Sequence, residues 1–143
     1  MKYEQWETGV PDAIRGDSLW RMEVYRLSLF LADLAWHDAS KLLKHRLGRS
    51  IADQLLRSTG NISSSVGEGY SRGTSKARCQ YFEYSLGSAR ESRDWYFKSR
   101  HVLGARVYSH RTDICTKIIK SLLAMIANDR RSNRRLGTAD SIE

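Results

Sequence analysis

The sequence predicts an all-α protein folded as an up-down-up-down antiparallel four-helix bundle. Three observations predict it. The only proline, Pro11, lies within the first 17 residues, so no later segment carries the strongest helix breaker. Apolar residues recur at three- and four-residue steps through four long blocks, without the strict alternation that marks strands. Short polar or glycine-bearing stretches separate the blocks, and short connections make neighbouring helices antiparallel.

Residues 1–17 read as a partly ordered leader, and residues 18–129 as the bundle. The first helix spans about 18–45, capped by Asp17 or Ser18 with Glu23 early in it. Leu19, Met22, Tyr25, Leu29, Phe30, Trp36, Leu42 and Leu43 form its inward stripe. The second helix spans about 50–72 and turns Ile51, Leu55, Ile62, Val66 and Tyr70 to one side. Thr74 or Ser75 caps the third, about 75–103, which Gly104 stops. Its stripe includes Tyr81, Phe82, Ser85, Leu86, Ala89, Trp95, Tyr96, Val102 and Leu103. The fourth helix, about 108–129, faces inward through Ile114, Ile118, Ile119, Leu122, Met125 and Ile126. Residues 130–143 are charged and poor in apolar side chains, and are expected to fray as a basic tail.

The stretch S-T-G-N-I-S-S-S-V-G-E-G-Y-S-R-G, residues 58–73, tests this assignment, because its glycines and serines suggest a loop. It lacks the spacing of a P-loop, and Arg72 stands where a dinucleotide fingerprint needs its third glycine. A linker has no reason to keep Ile62, Val66 and Tyr70 at four-residue steps. The stretch therefore reads as a helix packed close to its neighbours, since each glycine costs up to about 1 kcal/mol of helix propensity that packing must offset. Glu68 is placed one turn before Arg72, at ion-pairing distance on a helix face.

Residues of this stretch also carry a family pattern. Gln54, Leu55, Arg57, Ile62, Glu68 and Gly69, then Gly87, Ser88 and Glu91 on the next helix, match the motifs of the proteins encoded in intervening sequences of 23S ribosomal RNA genes. The chain resembles that family over about residues 18–127. It departs where Ser63 replaces a proline, Ser65 an asparagine and Arg78 an aromatic residue. The resemblance implies a left-handed four-helix bundle assembled as a ring-like homopentamer. One branch of the family resembles the accessory proteins of diversity-generating retroelements, which bind a reverse transcriptase and nucleic acid through basic surfaces, and the basic balance of this chain suits that branch. Arg57, Asn61, Glu68, Ser88 and Glu91 are expected to form a structural polar layer that fixes helix register.

Enzyme chemistry finds little footing. None of His37, His45, His101 and His110 follows an acidic residue by three positions, so the Glu-x-x-His pattern of di-metal bundles is absent and no metal or cofactor is expected. The Arg-to-His spacing of HEPN-type ribonucleases is missing as well, with Arg106 to His110 one residue short. Cys79 and Cys115 have neither metal-site spacing nor a nearby histidine, which fits reduced thiols in a cytoplasmic protein. The N-terminal segment lacks an apolar secretory core, and no apolar run approaches a membrane span.

Charge is the remaining signal. The chain carries a formal +8, and residues 1–17 hold two basic against four acidic side chains, so the excess lies beyond them. A basic body favours polyanions through counterion release and steering. Lys41, Lys44, Arg46 and Arg49 gather at the first interhelical turn, with His45 among them. Arg72, Lys76 and Arg78 gather at the second, and Arg130, Arg131, Arg134 and Arg135 follow the fourth helix. Arg90, Arg93, Lys98 and Arg100 run along the third helix, where Trp95 and Tyr96 offer a stacking surface. These clusters predict phosphate contacts to RNA or DNA; taken with the resemblance, which implies an oligomer and offers a reverse transcriptase as a partner, they give a non-enzymatic adaptor as the leading reading. The alternative is a protein–protein scaffold whose charge serves an acidic partner.

Overall fold

The structure is a computed structural model and describes residues 1–140, with side chains through Gly137. Among them, four long helices form the bundle: α3 (Glu23–Leu43), α4 (Arg49–Tyr70), α5 (Ser75–Lys98) and α7 (Ala105–Asp140). Short helices α1 (Tyr3–Thr8), α2 (Asp12–Arg15) and α6 (Arg100–Leu103) complete the α-helical set. Helix α4 packs between α3 and α5, and α5 between α4 and α7, while α3 and α7 meet less extensively. This is the all-α bundle that the apolar stripes predict.

Those stripes supply the core. Leu31, Leu34 and Leu42 of α3 meet Leu55, Ile62 and Val66 of α4, Phe82 and Tyr96 of α5, and Ile118 and Leu122 of α7. Each fully buried aliphatic side chain contributes about 1.5–3 kcal/mol relative to exposure. Helix α5 begins at a side-chain cap, with Thr74 Oγ1 accepting from the Ala77 N–H at 3.2 Å. Helix α4 starts without one, directly after a 3₁₀ turn at Arg46–Gly48.

Residues 58–70 are helical throughout, as the apolar spacing predicts. The close approach is real and centres on Gly69. A Cβ built there would lie 2.8 Å from Phe82 Cε1 and 3.1 Å from Tyr81 Cβ. Two hydroxyls mark the same α4–α5 contact: Ser85 donates to the Ile62 carbonyl at 2.8 Å, and Ser92 to Ser58 Oγ at 3.0 Å. Small side chains bring the two backbones near enough for these bonds.

Several boundaries differ from expectation. The first helix is shorter, because residues 18–21 form a 3₁₀ turn capped by Asp17, whose side chain accepts from the Leu19 N–H. The third breaks at Ser99 and resumes as α6. The leader is folded onto α3: Trp6 is buried, donates its indole N–H to Asp33 at 2.6 Å and packs on Phe30. The tail expected to fray is instead helical through Asp140, extending α7 by several turns although residues 130–137 carry exposed side chains. Residues 141–143 of that tail lie outside the described residues. Trp36, Leu43 and Tyr70, placed on inward stripes by spacing alone, are exposed, Trp36 at 66%.

Candidate nucleic-acid interface

Helix direction sorts the predicted basic residues onto two ends of the bundle. Helix α3 runs into the α3–α4 turn, α4 returns, and α5 runs back toward the end where α7 begins. Lys41, Lys44, Arg46 and Arg49 therefore share an end with Arg100 and Arg106. Arg72, Lys76 and Arg78 share the opposite end with Arg130 and the extension of α7, which carries Arg131, Arg134 and Arg135.

The two ends differ in how their cations are engaged. At the α4–α5 end, Arg72 Nη2 lies 3.2 Å from Glu68 Oε2, and its guanidinium sits 4.8 Å over the Tyr81 ring. Arg78 pairs with Asp129 at 3.4 Å, and Arg130 pairs with Glu83. Arg131 donates to the Asn128 side-chain oxygen at 3.2 Å. Lys76 is exposed there with no carboxylate within ion-pair distance among the described residues. At the α3–α4 end, Lys41, Lys44, Arg46 and Arg49 are all exposed, and none has such a carboxylate among the described residues.

The turn between them is closed by local hydrogen bonds. His45 Nδ1 accepts from the Leu47 N–H at 3.2 Å, and the Gly48 N–H donates to the His45 carbonyl at 2.9 Å. A Cβ on Gly48 would lie 2.4 Å from the Leu42 carbonyl oxygen, so only glycine fits where the turn folds back on α3. Leu47 points out at 78% exposure in the middle of the cations. The four charges thus flank this turn, Lys41 on the last turn of α3, Lys44 and Arg46 in the connection and Arg49 at the start of α4.

The polar layer differs from the expected one. Arg57, Asn61, Glu68 and Glu91 are exposed, and Ser88 is half-buried, so the notion that these five line the interior is corrected. Glu68 does pair with Arg72, but on the surface, and Glu91 accepts from the Trp95 indole at 3.2 Å. The buried ionic group is elsewhere. Asp38 of α3, with 1% of its side chain exposed, accepts from Arg111 Nε of α7 at 2.7 Å and from the Tyr96 hydroxyl of α5 at 2.9 Å. Burial, then the Asp38 charge, pushes the Tyr96 phenol well above its ordinary value. Burial alone would lower Arg111, but its hydrogen bond and attraction to Asp38 outweigh this and the net direction is up.

The signal for that triad was present in the spacing. Asp38 falls on the same three- and four-residue steps as Leu31, Ala35 and Leu42, and Arg111 on those of Cys115, Ile118 and Leu122. A lone acid on one buried stripe and a lone base on another mark a pair. The surface stacking expected of Tyr96 is excluded by its burial, and Trp95 is half-buried with Lys98 Nζ 4.6 Å over its ring.

No group of three or more metal-ligating side chains converges among the described residues. Cys115 is buried and Cys79 half-buried, and burial raises both thiols, the first to about 12. Among the described residues no helix is long and apolar enough to cross a membrane.

Comparison with known proteins gives a consistent placement. No curated protein matches the sequence. A crystal structure of a protein of unknown function from the S23 ribosomal protein family of Bacteroides thetaiotaomicron is similar to this fold, with a TM-score of 0.66 at 20% identity. The similarity covers 72% of this chain and 97% of that one, and at such identity it speaks for the fold. The profile of the 23S rRNA-intervening sequence proteins matches residues 21–125, from the 3₁₀ turn before α3 to the last buried turns of α7. The bundle, the α4–α5 close approach and this match over most of its length together make the chain a member of the 23S rRNA-intervening sequence protein family.

Proposed function

We propose that this protein is a non-enzymatic adaptor that binds RNA or DNA through phosphates, in the cytoplasm and as a ring-like homopentamer. One observation carries the reading: Lys41, Lys44, Arg46 and Arg49 are exposed around the α3–α4 turn without carboxylate partners within ion-pair distance among the described residues. Such a cluster attracts polyanions, and each phosphate contact releases counterions. The family's association with ribosomal RNA genes supports a nucleic acid as the polyanion. A ring would repeat the cluster, so individually weak contacts would gain from multivalency. One branch of the family resembles retroelement accessory proteins, which makes a reverse transcriptase the protein partner to test first.

Electrophoretic shift with random-sequence RNA and DNA across a salt series tests the reading. Binding should weaken steeply as salt rises, by about 0.7–0.9 in log–log slope per phosphate contacted. Reversing Lys41, Lys44, Arg46 and Arg49 to Glu should abolish it. No binding at low salt, or binding indifferent to salt, overturns the nucleic-acid role and favours the protein scaffold. Light scattering tests the assembly, and a monomer at micromolar concentration overturns the ring.

A further inference from the structure

A second basic surface lies on the outer face between α5 and α7 and differs from the first in containing aromatic rings. Arg90, Arg93, Asp94 and Phe97 from α5, with Tyr108 and Thr112 from α7, line an open groove of about 500 Å³. Volumes of about 300–1,000 Å³ are ordinary for small-ligand sites. The α5 residues fall at three- and four-residue steps, so they share one helix face. The groove has a cationic part and an aromatic part.

The cationic part is open to a ligand. Arg90 is exposed, and neither it nor Arg93 has a carboxylate within ion-pair distance among the described residues. Arg93 donates to Thr116 Oγ1 at 3.3 Å, a neutral acceptor. The one carboxylate in the lining, Asp94, pairs with Lys98 at 2.6 Å. In the aromatic part, Phe97 stays 51% exposed although Arg100 lies 4.0 Å from its ring centroid and Tyr108 meets it edge-on at 6.2 Å. A phenylalanine half in water beside guanidinium groups that lack a carboxylate partner among the described residues suits a ligand that has both a flat π-face and a negative charge.

We propose that the α5–α7 groove binds unpaired nucleotides of a single strand, with Arg90 and Arg93 on phosphates, Phe97 stacking on a base and Tyr108 bordering that base edge-on. This rests on the polyanion reading and narrows it. Base faces are available for stacking only where the strand is unpaired, and stacking tolerates any base. The groove then distinguishes single strands from duplexes, which the cations of the α3–α4 turn alone do not.

Fluorescence anisotropy with a labelled 12-nucleotide single strand and a duplex of the same length, at one salt concentration, tests the proposal. Wild-type protein should prefer the single strand. Phe97→Leu keeps an apolar side chain at an exposed position, and should weaken single-strand binding about five-fold to one-hundred-fold while leaving duplex binding unchanged. Arg90→Gln with Arg93→Gln should lower the salt slope for the single strand by about 1.4 or less. Circular dichroism melts confirm that each variant is folded, and light scattering that its assembly is unchanged. If wild type binds both probes and Phe97→Leu alters neither, or both equally, or alters the assembly instead, this proposal is overturned and the polyanion reading stands. If wild type binds neither probe, the polyanion reading fails and this proposal with it.

Discussion

Arg111 reaches from α7 to α3 and places its Nε 2.7 Å from Asp38 Oδ2, the same oxygen that accepts the Tyr96 hydroxyl. Three of the four long helices are joined at one buried carboxylate. Arg111 Nη2 adds a second contact to Asp38 Oδ1 at 3.2 Å, so the guanidinium engages both oxygens. Its Nη1 also lies 2.7 Å from His110 Nδ1.

Removing Arg111 should therefore cost far more than removing a surface cation. Arg111→Ala leaves a buried carboxylate with only a phenol as partner, and losing one member of a buried pair costs about 3–5 kcal/mol. The double variant Asp38→Leu with Arg111→Leu should recover part of this loss, because no charge then remains buried. Urea denaturation of the three proteins measures both effects. Equal stabilities for wild type and Arg111→Ala would sink the claim.

Alkaline stability should depend on Cys115. Burial raises its thiol from about 9 to about 12, so between those values the folded chain keeps a proton that the unfolded chain releases. The unfolded state then binds fewer protons, and stability falls with rising pH by about 1.4 kcal/mol per unit at most. The contribution is intact below pH 9 and is lost as pH climbs toward 12. Tyr96, also raised, adds the same sign above pH 10. Cys115→Ala should flatten the decline between pH 9 and 10, read from urea midpoints at each pH.

Glycines 60 and 69 share α4 but should respond oppositely to alanine. At Gly69 the new methyl would press on the Phe82 ring and on Tyr81 Cβ, and overpacking of this kind costs about 1–3 kcal/mol. At Gly60 an added Cβ would meet nothing within 4 Å beyond its chain neighbours and the local backbone of its own helix, so the change should stabilise by up to about 1 kcal/mol through helix propensity. Thermal melts of the two variants should move in opposite directions. A common direction would mean that the close approach does not centre on Gly69.

The surface position of Glu68 makes a further contrast. Its pair with Arg72 leaves both side chains about half exposed, and exposed pairs at this helical spacing are worth about 0.3–0.5 kcal/mol. Glu68→Ala should lower stability by less than about 1 kcal/mol in denaturant titration. A loss of several kcal/mol would restore Glu68 to a buried layer.

What could be read from the sequence followed the strength of each physical signal. The four helices were legible because Leu55, Ile62 and Val66, or Ile114, Ile118 and Leu122, repeat at the helical period, and burial enforces that period. Trp36 and Leu43 were misplaced because a stripe drawn from apolarity alone cannot exclude an apolar residue on the outer face. The helical extension beyond Asp129 was missed because low apolar content argues against packing, whereas local backbone bonds suffice to continue a helix already nucleated. The polar layer went wrong in the same way. Spacing shows which polar residues share a face, but burial at that face depends on the neighbouring helix, and Asp38 is the one charged residue among the described residues that is fully buried, with Arg111 as its partner. Clusters of cations were legible as composition, and so was the local pair of Arg72 with Glu68, whereas Arg78 and Arg130 take carboxylate partners from distant segments, Asp129 and Glu83.

That last difference predicts unequal behaviour of the two basic ends. Arg78 and Arg130 are engaged by Asp129 and Glu83, so phosphate must displace a carboxylate to reach them. Lys44 and Arg46 have no such competitor among the described residues, so phosphate meets them directly. Neutralising Lys44 and Arg46 to Gln should lower the duplex salt slope by about 1.8 or less, and leave stability within about 0.5 kcal/mol of wild type. Neutralising Arg78 and Arg130 should have the smaller effect on the slope and the larger effect on stability, since Arg78 and Asp129 are both largely shielded from solvent. Parallel salt titrations and urea denaturation of the two double variants decide it. A steeper loss of salt dependence from the Arg78 and Arg130 pair would reverse the assignment, placing the nucleic acid at the α4–α5 end.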